Sequence, residues 1–215
     1  MIELIGGLIG KIIGWILPAS WKYAGKRWRR PAIESLRTPA NLFQHLAPGV
    51  SKDRVKEVLG SPHRTYSTTW AYRFIDAMVQ IEFWENGGAK SIVLGITIHT
   101  PKGGFAVPML AKPIGSMTLA DAMEEDEGQL EYRSSLRTEE LVWVARIGPP
   151  GAWLYYTFGA LSPLAPGYLR ESIFAWDRDE EKLKSNPSDV LLNWVGVSAS
   201  GDEVRLDWSL GLPGI

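Results

Sequence analysis

The chain contains no cysteine. Disulfides, thiolate metal sites and cysteine nucleophiles are therefore excluded. Histidine is scarce, at three: His45, His63 and His99. None of them pairs at the short spacing that metal sites use, so no metal site is expected. Net charge is nearly absent, with 23 basic and 24 acidic residues giving −1. That balance removes the strongly basic surface of a generic nucleic-acid-coating protein. Gly-x-Ser-x-Gly, Walker and Gly-x-Gly-x-x-Gly motifs are missing, and no nucleophile, base and orienting group stand together. The expectation is a protein without a recognisable catalytic set and without a cofactor.

What is present suffices for a core. Of 215 residues, 45% are hydrophobic and 22% charged, the balance of a globular rather than a disordered chain. Ten tryptophans suit cores, binding surfaces and membrane interfaces alike.

The charge is unevenly placed. Residues 1–30 hold one acid, Glu3, and six bases, net +5, leaving −6 for the remainder. The run from Ile2 to Leu17 is apolar except for Glu3 and Lys11. On a helix, Glu3, Gly6, Gly7, Gly10, Lys11 and Gly14 fall within a sector of about 140°. Gly6, Gly10 and Gly14 repeat a small-xxx-small spacing that lets two helices approach closely in lipid. Trp15 and Trp21 suit the headgroup region, and the basic cluster Lys22, Lys26, Arg27, Arg29 and Arg30 would stay on the cytoplasmic side. The pattern predicts a membrane helix that spans or lies in the interface, with homo-oligomers formed through its glycine face. A cleaved secretory signal and a helix packed into protein remain as alternatives. The basic cluster with Tyr23 and Trp28 also fits phosphate contacts, but beside an apolar helix anionic lipid is the better match than nucleic acid.

The body reads as α+β: after the N-terminal apolar helix come short helices and mainly antiparallel sheet, arranged as two helix-then-sheet units. Residues 31–50 form a connecting region with short helical turns, punctuated by Pro31, Pro39 and Pro48. Ser51 can cap a helix over 52–59, which Gly60 and Pro62 stop. Alternation at Trp70–Phe74, Val79–Phe83 and Ile92–Ile98 predicts three strands, with Glu85–Gly88 as a hairpin loop. This first unit covers 51–112. In the second, 113–215, Thr118 can cap a short helix. Strands are predicted at 130–136, 140–147, 152–160, 168–176, 191–197 and 203–208.

The stretch Pro48–Pro62, with Gly49, Ser51, Val55, Leu59-Gly60-Ser61-Pro62 and then Trp70-Ala71-Tyr72, resembles the SmpA/OmlA-type small outer-membrane lipoproteins. It is similar also to the tandem-repeat β-lactamase inhibitor proteins. The likeness spans residues 48–98 and implies a non-enzymatic protein-binding module that uses one face of a sheet.

Two acidic runs, Glu124–Glu127 and Asp177–Glu181, lack the spacing of a calcium loop and read as solvated charge. His63-Arg64 follows the helix-stopping turn and could face a ligand. Trp153 and Tyr155 share a face opposite Leu154, Tyr156 and Phe158, so that strand is either central or part of a binding surface. The functional expectation is a membrane-tethered binding or sensing module, its body cytoplasmic, recognising a protein or small ligand through its sheet. The alternative is a membrane-permeabilising effector whose glycine-rich helix oligomerises under control of the body. An enzyme assembled from distant residues is the third class.

Overall fold

The computed structural model describes residues 36–39, 41–163, 168–201 and 204–211, all within the contact unit Ile33–Leu212. Helix α1 (Leu42–His45) precedes α2 (Lys52–Leu59). The Ser51 hydroxyl accepts from Arg54 N–H at 3.2 Å to start α2, and Gly60 ends it with φ 78° and ψ −160°, a conformation open essentially to glycine alone. Helix α3 (Leu119–Met123) starts with a reciprocal cap between Thr118 and Asp121.

The described residues contain ten strands: β1 (Arg64–Tyr66), β2 (Thr69–Arg73), β3 (Ala77–Phe83), β4 (Ala89–Ile96), β5 (Leu130–Ser134), β6 (Thr138–Ile147), β7 (Leu154–Pro163), β8 (Trp176–Asp177), β9 (Lys182–Leu183) and β10 (Trp194–Ser198). Eight form one antiparallel sheet in the order β1-β2-β3-β4-β10-β7-β6-β5, and β8 pairs with β9 in a separate ribbon. The late strand β10 is the seam. It binds β4 on one side and β7 on the other.

The α+β expectation is corrected. Helices of 4, 8 and 5 residues decorate a mainly antiparallel sheet, and the pairing of β10 with both β4 and β7 makes one continuous sheet in place of two helix-then-sheet units. The predicted N-terminal apolar helix falls on residues outside those described, as do Gly6, Gly10, Lys11, Gly14, Trp15, Lys22, Lys26, Arg27, Arg29 and Arg30. No helix among the described residues is long and apolar enough to cross a membrane. Among the described residues, the expectation of a transmembrane or amphipathic helix with a glycine zipper is therefore corrected: none is found there.

Two predicted strands are also corrected. Residues 168–175 do not run as a ladder strand: one bridge pairs Leu169 with Thr97, and Ser172 N–H donates to Leu161 O of β7 at 3.0 Å. There the Tyr168 hydroxyl sits between the carbonyls of Phe74 and Ala77. Residues 204–207 pair with no strand among the described residues.

The two sheet faces differ. One carries the main core, where Tyr72, Ile81, Leu94, Val195, Phe158 and Leu141 lie under the helices and the Phe105–Met117 loop. The other carries a smaller cluster around Met78, Val93, Trp194 and Val142, covered by Val204 and Leu206.

Candidate functional site

The second face is built for a strap. Its cross-strand rows are narrowed by small residues: Gly95 in β4 and Gly196 in β10. A Cβ at Gly196 would meet Val204 at 2.8 Å, and one at Gly95 would meet Leu206 at 3.5 Å. The segment 204–208 runs in that track, across the strands. Val204 N–H donates to the Thr157 hydroxyl of β7 at 3.2 Å. Farther along, Asp207 N–H donates to Gln80 Oε1 at 2.9 Å, and Gln80 Nε2 donates back to Asp207 O at 2.5 Å. Side chains of the sheet thus replace a ladder. Burying Gln80 without them would cost on the order of 1–3 kcal/mol.

Beside the strap, register aligns a polar row on the same face. Tyr66 faces Thr69, Thr69 faces Glu82, and Glu82 faces Ser91. The row continues through Ser198 to Tyr155 and Arg146. Between row and strap lies a cleft of about 200 Å³, floored by Gln80 and Val93, with Glu82 and Ser91 on one wall and Arg205 and Asp207 on the other. Both charge signs, a hydroxyl and an amide therefore converge. Lys90 Nζ stands 3.5 Å from Glu82 Oε1 and also lies over the Trp84 ring, 5.2 Å from its centre.

Two other concavities are less specific. One of about 450 Å³ runs beside β5 and the β8–β9 ribbon. Another, of about 470 Å³, opens between Ser51 and Gly87. Among the described residues, no group of three or more His, Asp and Glu is placed to hold a metal ion.

The face distributes the residues singled out in sequence. Arg64, facing Ala71, and Tyr155, facing Ser198, both sit on the strapped side. Their strands lie five spacings apart in the sheet order, roughly 24 Å, so they do not meet. His63 stands before β1, exposed, with Nδ1 accepting from Arg73 N–H at 2.8 Å. Trp153 lies in the turn before β7, exposed, with the Arg146 guanidinium 4.9 Å from its ring centre. Sequence reasoning missed Glu82, Ser91, Arg205 and Asp207. One signal was available, since Gln80 interrupts the run Ala77–Phe83 of β3, which is buried at Gln80 as well as at its apolar residues. A buried amide requires a polar partner.

Three tyrosines on the main core side and at the sheet end titrate high. Burial pushes Tyr72 up to about 12 and raises Tyr168 further. Burial, then the nearby Glu125 charge, raises Tyr156.

No family model matches the chain, and no curated protein matches it. Among solved structures it is similar to a DUF4309 family protein, YjgB, from Bacillus subtilis, at 11% identity and a TM-score of 0.38, over 78% of this chain and 88% of that one. None of these comparisons bears on the likeness of residues 48–98 to the SmpA/OmlA-type lipoproteins.

Proposed function

We propose that the described body is a non-enzymatic binding module that takes a small polar ligand on the strapped face, in the cleft between Glu82 and Arg205. The observation that supports this reading is the convergence of Glu82, Ser91, Arg205 and Asp207 around one concavity. A space of about 200 Å³ is smaller than a drug-sized site and suits a group the size of an amino acid or a monosaccharide. Opposite charges on facing walls favour a ligand that carries both a cationic or hydroxyl donor and an anionic acceptor. The strap fixes the far wall through Gln80, so the cleft is formed before the ligand arrives, which lowers the cost of binding.

The test is a titration of isotope-labelled protein with a panel of amino acids and monosaccharides, read by amide chemical shift. A ligand of the cleft moves the amides of Thr69, Ser91 and Arg205. The pair Glu82→Gln and Arg205→Ala weakens it at least about tenfold, the loss of one charge-assisted contact. Binding that survives both substitutions unchanged would place the ligand elsewhere on the protein.

A further inference from the structure

Among the described residues, no strand pairs with the outer side of β5. The hairpin bond from Ser135 N–H to Thr138 O, 2.8 Å long, sets the alternation of the ladder. Arg133 with Glu140, and Glu131 with Val142, then exchange bonds with β6. Leu130, Tyr132 and Ser134 turn their N–H and C=O groups away from it. Among the described residues, no backbone hydrogen bond joins those groups to another segment.

The flanking edge is closed on both sides. Where β6 runs past β5, Asp126 Oδ2 accepts from Arg146 N–H at 2.8 Å. Gly128 lies so close there that a Cβ would approach Val144 O to 2.7 Å. At the hairpin, the Ser135 hydroxyl accepts from the N–H groups of Arg137 and Thr138. Tyr132 itself does not block the edge. Its hydroxyl reaches inward to Glu139 Oε1 at 2.9 Å, and Trp176 stacks on its ring at 4.8 Å. The cleft beside Leu130 and Tyr132 keeps the strand approachable.

The strand reads Leu-Glu-Tyr-Arg-Ser, which is charge-complementary to itself when run antiparallel. We propose that β5 pairs with β5 of a second copy of this chain about a two-fold axis at Tyr132, extending the sheet across the dimer. In that register Tyr132 faces Tyr132 and Leu130 faces Ser134 of the second copy. Every outward N–H then meets an outward C=O. Glu131 faces Arg133 of the second copy at a non-hydrogen-bonded position, where side chains come closest, about 4.5–5.5 Å between Cβ atoms. Within one chain these two residues already pair at 2.8 Å, and the dimer gives each a second opposite charge. The neighbouring antiparallel registers that keep the outward groups matched set Glu131 against Glu131 or Arg133 against Arg133. Charge therefore selects one register, as edge charges do elsewhere to refuse wrong partners.

The absence of native cysteine makes the register directly testable in the full chain. Glu131→Cys protein and Arg133→Cys protein, mixed and mildly oxidised, should form a covalent dimer at least about tenfold more than either variant alone, because only the 131–133 pair meets disulfide geometry. Ser134→Pro removes one outward donor and leaves the ladder to β6 intact. Added to both cysteine variants, it should cut that yield by about tenfold, with the melting temperature unchanged. Equal yields from the mixture and from each variant alone would overturn the proposal. So would a yield that Ser134→Pro does not change, or sedimentation of the unsubstituted chain as a monomer at every concentration. Association through another surface would show as a dimer without the 131–133 cross-link, and that too would overturn it.

Discussion

The indole of Trp194 packs directly against Gly159. The two residues face each other across β10 and β7, and a Cβ at position 159 would stand 1.8 Å from the Trp194 indole nitrogen. That nitrogen donates to Glu140 Oε1 at 2.9 Å, and the side chain is fully buried. The absence of one methyl group thus lets the largest side chain of the smaller core lie against its neighbouring strand. Gly159→Ala should displace the ring, break the bond to Glu140 and destabilise the fold by roughly 1–3 kcal/mol or more. Urea unfolding followed by tryptophan emission measures it. A midpoint equal to that of the unsubstituted protein would mean the ring has room to move.

Gly60 separates backbone strain from packing. Nothing lies within 4 Å of its would-be Cβ, so only its φ of 78° resists a side chain. Gly60→Val should cost about 1–3 kcal/mol. Gly103, equally open but without a positive φ, serves as the control, and Gly103→Ala should stay within about 0.5 kcal/mol. Thermal melts of the two variants side by side give the comparison.

Tyr72 makes stability depend on alkaline pH. Its folded value near 12 lies above the ordinary 10.0 because burial disfavours the phenolate. The folded state therefore holds a proton that the unfolded chain has released between pH 10 and 12. Its contribution is complete below pH 10 and is lost as pH rises through 12, with a slope approaching 1.4 kcal/mol per pH unit, roughly, for one group. Tyr72→Phe should flatten the unfolding free energy over that interval, while Tyr156 and Tyr168 keep a residual slope. Its hydrogen bond to Gly60 O is long, at 3.4 Å, so the same variant should change little at pH 7. An unaltered alkaline slope in Tyr72→Phe would contradict the assignment.

Asp76 ties residues 36–38 to the sheet. Its buried carboxylate accepts from Thr38 N–H at 2.8 Å and from the Thr38 hydroxyl at 2.9 Å. Ile75 N–H donates to Leu36 O at 3.0 Å. Asp76→Ala leaves both Thr38 donors without their acceptor, at a cost of about 1–3 kcal/mol. The exposed Arg37 side chain should then become a fast tryptic site. Mass spectrometry of timed digests shows whether cleavage after Arg37 accelerates.

Local signals in the sequence were reliable where the cause is local. Ser51 and Thr118 cap their helices, Gly60 takes the backbone that ends one, and Glu85–Gly88 turns between β3 and β4. The segment 203–208 shows what periodicity does not carry. Val204 and Leu206 are buried and Arg205 and Asp207 exposed, so the alternation is real. It reports burial on one side and is silent on who supplies the hydrogen bonds. Here Thr157 and Gln80 side chains do so, and the segment crosses the strands instead of joining them. Residues 168–176 misled for a related reason, since Tyr168 is only partly buried and is held by contact with the carbonyls at a sheet end. The candidate cleft was illegible because Glu82 and Ser91 meet Arg205 only through register and the path of the strap. That Tyr155 and Arg64 share a face but lie far apart depends on strand register and order, which short-range pattern does not encode.

The seam strand β10 sets a hazard during synthesis. Ribosomes deliver β1 to β4 long before residues 194–198 exist, and β4, apolar on both faces when complete, must wait with one edge unpaired. Strand β7 waits in the same way on the other side. For that interval a nascent chain offers two apolar strand edges to any neighbour, so crowded polysomes and slow translation of the last stretch should favour aggregation over folding.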